Sequence, residues 1–91
     1  MAESQILHVS FDFKSPPNLE ALKKAFDLGL DWAHYLPNCW IVKTTSSAEK
    51  WSERLKPCMG PNALLFISKI DLGESQGWLP KWVWDWIAKN K

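Results

Sequence analysis

The first clear pattern in the chain is an alternation of apolar and polar residues from Ile6 to Phe13. In an extended strand every second side chain lies on the same face, so this alternation separates a core face from a polar face. The segment therefore predicts a first strand, whose core face is formed by Leu7, Val9, Phe11 and Phe13.

A helix is predicted directly after this strand. Pro16 and Pro17 stop the strand, and Asn18 belongs to the residue types that cap helix N-termini. Apolar residues then recur at helical spacing before the stop signal at Gly29, at positions Leu19, Leu22, Ala25 and Phe26.

The middle of the chain predicts a hairpin followed by a second helix. Two segments rich in aromatic and β-branched residues, 32–36 and 39–45, are separated by the turn signal Pro37-Asn38. The sequence from Ser46 to Glu49 has the S-x-x-E form of a capping box. The buried stripe of this second helix is predicted at Ala48, Trp51, Leu55 and Cys58 or Met59.

The last third of the chain predicts a strand and a tail helix. The run over 63–71, with the apolar residues Leu64 to Ile67 at its centre, suits a strand that is buried on both faces. Over 79–90, apolar residues recur at i, i+3, i+4, i+7 and i+8, as Leu79, Trp82, Val83, Trp86 and Ile87. Trp84 falls off this stripe and is a candidate for a partner contact, and Trp78 is a candidate anchor for the start of the helix.

These elements predict an α+β fold with the order β-α-β-β-α-β, the ferredoxin-like arrangement. In this arrangement a single sheet carries two helices on one face, and here a C-terminal helix follows. The 91 residues suffice for one hydrophobic core, so we expect a single domain over 1–91, with its sheet and two helices within about 6–71. The tail helix can cover either the open face of its own sheet or that of a second subunit.

Composition narrows the range of functions. The net charge is +1 and only one of the eleven cationic residues is Arg, which gives nucleic-acid binding little electrostatic support. The chain has neither a leader-like N-terminus nor an apolar run of membrane-spanning length, so we expect a cytoplasmic protein without a membrane partner. Cys39 and Cys58 lack zinc-site spacing and are expected to be reduced and partly buried.

Asp12 is the most informative carboxylate, because it ends the first strand on the polar face. Mg²⁺ usually takes more than one carboxylate, so Asp12 could hold an ion only if a two-fold interface brought in a second copy. The alternative is that Asp12 caps the turn that follows.

His8 lies about 13 Å from Asp12 at the usual strand rise and cannot share an ion with it inside one subunit. His34 is either a general base or a half-buried histidine hydrogen-bonded to the backbone.

The motifs V-S-F-D at 9–12, W-A-H at 32–34 and W-I-V-K-T at 40–44 resemble those of the small bacterial proteins of the SinR family. Further matches occur at Ser47-Ala48, at 85–87 and at Asn90. That family is remotely similar to the CRISPR-associated metal-dependent nuclease and integrase-bridging proteins and to the VapD ribonuclease toxins. The resemblance implies a ferredoxin-like homodimer in which Asp12 lies near the two-fold axis and binds Mg²⁺ or Mn²⁺. The basic segment typical of the CRISPR-associated proteins is replaced here by residues 14–17, Lys-Ser-Pro-Pro.

Two hypotheses follow, and the sequence alone does not establish whether the protein is an enzyme. The first is a dimeric, divalent-metal-dependent protein that binds or cleaves nucleic acid, in which the ion would polarise a phosphodiester and activate water. In that protein Lys14, Lys43 and His34 would lie near nucleic acid. The second is a non-catalytic interaction module that uses its dimer surface and its Trp-rich tail helix, with Trp84 as a contact. Signatures of acyl transfer, nucleotide hydrolysis, dinucleotide binding and zinc proteolysis are absent from the sequence.

Overall fold

The structure is a computed structural model that describes residues 3–91. Met1 and Ala2 lie outside the described residues. The prediction that the chain has no leader rests in part on these two residues. The described chain forms a mixed α+β fold with one four-stranded antiparallel sheet and three helices. The strands are β1 (Gln5–Asp12), β2 (Asp31–Leu36), β3 (Cys39–Thr44) and β4 (Leu64–Ile70). The helices are α1 (Leu19–Phe26), α2 (Ala48–Leu55) and α3 (Lys81–Asn90), and a 3-10 turn (Lys56–Cys58) follows α2.

The strands lie in the order β2-β3-β1-β4, so β1 and β3 are central and β2 and β4 form the edges. In register, Val9 of β1 lies between Trp40 of β3 and Ile67 of β4. Directly opposed residues share a face of an antiparallel sheet, so the register sorts the side chains into two faces. The hairpin predicted at Pro37-Asn38 joins β2 to β3, with a register irregularity between His34 and Leu36.

One face of the sheet carries the main core beneath α1 and α2. The predicted inward positions Leu7, Val9 and Phe11 are all buried there. The helices bury five side chains against them: Leu22, Ala25, Phe26, Trp51 and Leu55. The Trp51 indole donates a 2.9 Å hydrogen bond to Oγ1 of buried Thr44, which satisfies a polar atom that burial would otherwise penalise.

The opposite face, here called the open face, is partly covered by α3. Val83 and Ile87 of α3 are buried in a second cluster together with Ile41 of β3 and Leu72. Asn90 donates to the Asp31 carboxylate at 3.2 Å and to the Trp86 carbonyl at 3.0 Å, which ties the last turn of α3 to the start of β2. The tail helix therefore packs on the sheet of its own chain.

The helix ends confirm one cap and correct another. Asn18 accepts from the Ala21 amide at 3.1 Å and caps α1 as predicted. The cap of α2 is Ser47, which accepts from the Lys50 amide at 3.1 Å, so the capping box proposed from Ser46 to Glu49 is wrong. With Ser47 as the cap, the third helical position holds Lys50, and a lysine cannot return the reciprocal hydrogen bond.

Two predictions about α1 are also corrected. Leu19 is the first residue of α1 and is exposed, so it does not belong to the buried stripe. The helix ends at Phe26, three residues before the predicted stop at Gly29. A Cβ at Gly29 would lie 2.7 Å from Cγ2 of buried Val42, so glycine is needed here for close approach of the chain to β3.

The prediction that the last strand is buried on both faces is wrong. β4 is an edge strand that pairs only with β1. Its residues alternate, so that Leu65 and Ile67 pack on the main core while Leu64 and Phe66 are exposed on the open face.

The tryptophans of the tail segment lie differently from the prediction. Trp82, predicted to be in the core stripe, is about half exposed, whereas Trp84 packs against the second cluster. Trp78 is fully exposed and anchors nothing within the described residues. Within residues 3–91, none of the helices combines the length and the apolar character needed to cross a bilayer.

Candidate functional site

The candidate site is the part of the open face that α3 leaves bare. α3 lies over the end of the sheet where Ile6 pairs with Ile70. At the other end, Asp12 lies opposite Leu64, and Ser10 lies opposite Phe66. We call these four residues the uncovered half of the open face.

The uncovered half is dominated by two exposed apolar side chains. Leu64 is 61% exposed and Phe66 is 66% exposed, and they stand two residues apart on the same face of the edge strand. A shallow cleft of about 230 Å³ runs between them and the end of β1. Apolar side chains that stand together on a surface are a usual mark of an interaction site.

Asp12 is the one acid at this end of β1, and it is already paired. Its carboxylate accepts a 2.6 Å hydrogen bond from Nζ of Lys14, and the Asp12 side chain remains 57% exposed. No group of three or more potential metal-ligating side chains occurs among the described residues. The metal role of Asp12 therefore stays a prediction that depends on a second copy.

The cationic residues predicted to lie near phosphate are not brought together. Lys14 lies beside Asp12, whereas Lys43 lies opposite Ile6. Ile6 and Asp12 are six positions apart along β1, which is about 20 Å at the usual strand rise. Lys14 and Lys43 therefore do not form one phosphate-binding patch within a protomer.

His34 lies on the face of the sheet that carries the main core. It has the second of the two predicted roles, that of a half-buried histidine hydrogen-bonded to the backbone. Its ring is stacked on Trp40 with centroids 3.8 Å apart, and its Nε2–H donates to the Pro37 carbonyl at 3.1 Å. A ring held in this way by an aromatic neighbour and the backbone is placed for packing, and it does not contribute to the uncovered half.

Under α3 the open face holds a hydrogen-bonded pair that the sequence did not indicate. Nε2 of His8 and the Tyr35 hydroxyl share a hydrogen bond of 2.5 Å. Burial lowers the pKa of His8, so its ring is neutral at pH 7 and can accept from the tyrosine. Burial, together with the adjacent Cys39 thiol, raises the pKa of Tyr35, so the phenol also stays neutral.

The surroundings of Cys39 reduce its reactivity as a nucleophile. Cys39 and Cys58 are both free and half-buried, as expected from their spacing. Burial raises the pKa of the Cys39 thiol and outweighs the interaction with Tyr35, which lowers it. The reactive thiolate is therefore scarce at neutral pH.

Asp31 fixes α3 to the sheet by charge as well as by hydrogen bonding. Burial alone would raise the pKa of Asp31, but its hydrogen bonds with the Asn90 amide and the Trp32 backbone N–H, together with the Lys89 ammonium, hold the pKa below its usual value. The Trp86 indole also favours the carboxylate, although its N–H does not reach hydrogen-bonding geometry. The Asp31 carboxylate at the start of β2 therefore binds α3 through Asn90 and Lys89.

Comparison with models of protein families, with curated proteins and with solved structures finds no match for this chain. The resemblance to the SinR family therefore rests on the motifs quoted above. Of the residues predicted to form a site, the structure places only Asp12 on the uncovered half and Lys14 beside it. The sequence did not point to Leu64 and Phe66, although a strictly alternating interpretation of β4 would have separated them from Leu65 and Ile67.

Proposed function

We propose that this protein is a homodimeric interaction module whose subunit interface is the uncovered half of the open face. The observation that carries the proposal is that Leu64 and Phe66 are exposed side by side. At the other end of the same sheet face, apolar side chains are covered by α3. We also propose that its core is ferredoxin-like, which the strand order β2-β3-β1-β4 and the placement of α1 and α2 on one face support.

A second copy is the occupant that best matches the chemistry of this surface. In a two-fold contact the same patch is used twice, so the leucine and phenylalanine of one subunit meet those of the other. Burying such side chains is favourable by about 1.5–3 kcal/mol each when burial is complete. The apolar pair is therefore a surface that a second copy can bury.

Charge does not oppose this contact. The chain has a net charge of +1, so two copies repel each other only weakly. Asp12, the acid on the patch, is neutralised by Lys14 at 2.6 Å. Polar side chains at the rim of an apolar patch are the usual arrangement in protein interfaces.

The proposal is tested by sedimentation equilibrium on the wild type and on two charge variants, Leu64→Glu and Phe66→Glu. We expect the wild type to dimerise with a dissociation constant in roughly the micromolar range and both variants to be monomeric. Leu28→Glu is the matched control, because Leu28 is 64% exposed but lies in the turn after α1. A monomeric wild type, or a monomeric Leu28 variant, would contradict the proposal.

A second candidate function is a divalent-metal-dependent nuclease or nucleic-acid-binding protein, as the resemblance implies. The observation that favours it is the position of Asp12 on the same uncovered half, because a two-fold axis that passes close to Asp12 would bring the two carboxylates near each other. Nucleic acid would then approach Lys14, since Lys43 lies at the far end of the sheet.

Titration of Mn²⁺ and Mg²⁺ into the dimer distinguishes the two functions. The nuclease hypothesis predicts one ion per dimer in the wild type and none in Asp12→Asn. Glu53→Gln, which removes an exposed carboxylate on α2, should bind like the wild type. Absence of binding in the wild type, with the dimer intact, would leave the interaction module as the function.

A further inference from the structure

A second cleft lies on the covered half of the open face, between the sheet, α3 and the segment that joins β4 to α3. Its volume is about 310 Å³, at the lower end of the usual range for small-ligand sites. Three aromatic residues are among those that line it: Tyr35 from β2, Trp84 from α3, and Trp78 from the connecting segment, whose indole is fully exposed. We call this space the aromatic cleft.

The charge inside the aromatic cleft has one sign. Among the described residues that line it, Glu74 is the only one with a formal charge, and none is Lys or Arg. His8 also lines the cleft, and burial lowers the pKa of its ring below the usual value, so the ring is neutral at pH 7. An anion entering the cleft would therefore meet a carboxylate and no cation, whereas a cation would meet a carboxylate and aromatic rings.

We propose that the aromatic cleft binds the methylated ammonium group of a small ligand. Aromatic faces attract cations through their quadrupole, and tryptophan is the strongest of the three aromatic residues in this respect. A quaternary ammonium needs no hydrogen-bond acceptors, unlike a metal ion, which would require several oxygen ligands. One carboxylate with several rings is the arrangement that suits such a group.

The exposure of Trp78 indicates how the ligand would be enclosed. Trp78 is fully exposed, so its indole makes no packing contact that must be broken before it turns over a ligand. Ordering a free side chain costs conformational entropy, so the affinity for a small cation is expected to be modest. This site is separate from the uncovered half and does not depend on dimerisation.

The probe is choline, compared with its uncharged isostere 3,3-dimethylbutan-1-ol, in an NMR titration of the full chain that follows the indole N–H signals. We expect choline to shift the signals of Trp78 and Trp84 and to bind at least about 5-fold more tightly than the neutral isostere. Trp78→Ala and Glu74→Gln should each weaken choline binding by about 2- to 5-fold. Both positions are exposed, so neither substitution should unfold the protein.

Trp82→Ala is the matched control, because Trp82 lies on α3, is about half exposed and is not among the residues that line the cleft. It should bind choline like the wild type. Equal affinity for choline and the neutral isostere would overturn the proposal, since the cleft would then respond to shape alone. Absence of any shift at Trp78 and Trp84, or an equal loss of binding in the Trp82 variant, would also overturn it.

Discussion

His8 and Tyr35 share a 2.5 Å hydrogen bond although their strands are not neighbours in the sheet. β3 lies between them, and their side chains meet above Ile41, which lies opposite His8 in register. The two rings also contact edge to face, with centroids 5.7 Å apart. This pair links β1 to edge strand β2 beneath α3 and forms part of the wall of the aromatic cleft.

The pair predicts a loss of stability on mild acidification. Burial lowers the pKa of His8 below 6.5, so the unfolded chain takes up a proton more readily than the folded one. The contribution of His8 to stability is therefore complete above about pH 6.5 and is lost as the pH falls through the lower pKa of the folded state. Chemical denaturation at about pH 7.5 and about pH 5 should show a smaller free energy of unfolding at the lower pH.

His8→Gln should remove this pH dependence, since glutamine can still bond to Tyr35 but does not titrate. His34→Gln is the control, because it removes the other histidine of the chain and should leave the difference between the two pH values unchanged. If the His8 variant kept the full pH dependence, the assignment to the pair with Tyr35 would be wrong.

Thr44→Val should destabilise the fold by about 1–3 kcal/mol, the usual cost of leaving buried donors without an acceptor. The Thr44 hydroxyl accepts from the Trp51 indole at 2.9 Å and from the Ser46 amide at 3.0 Å, and valine has the same shape without the oxygen. Urea denaturation monitored by circular dichroism measures the change. Thr45→Val, at the exposed neighbouring position, should change stability by less than about 0.5 kcal/mol, and equal costs would contradict the account.

Ser47→Ala should cost about 0.5–2 kcal/mol, because it removes the cap of α2. Ser46→Ala should cost much less, since the hydrogen bonds of Ser46 found here use its backbone amide and carbonyl. Thermal unfolding of the two variants side by side decides between the positions. A larger loss at Ser46 would restore the capping box that the sequence suggested.

Local pattern was sufficient to predict much of the fold. Alternation identified the core face of β1, and helical spacing identified the buried residues of α1 and α2. The error at β4 arose because an apolar run such as Leu64 to Ile67 has no clear period, and the sequence does not show how many neighbours a strand has. Because α3 does not cover the Leu64 end of this edge strand, β4 exposes Leu64 and Phe66 on the open face.

The tail helix shows a different limit. Its residues from Trp82 to Ile87 are apolar except for Asp85, so several helical phases give an acceptable stripe. Packing on Ile41 and Leu72 selects the phase with Val83 and Ile87 inward, which turns Trp82 outward. Similarly, the meeting of His8 with Tyr35 depends on strand order and could not be derived from either segment alone.

The most direct test of the proposed interface is an isotope-filtered NMR experiment on a mixture of labelled and unlabelled protein, which detects only contacts between subunits. If the uncovered half is the subunit interface, we expect intermolecular signals between the Phe66 ring and the Leu64 methyl groups. Intermolecular signals confined to α3, or none at concentrations well above the micromolar range, would contradict it.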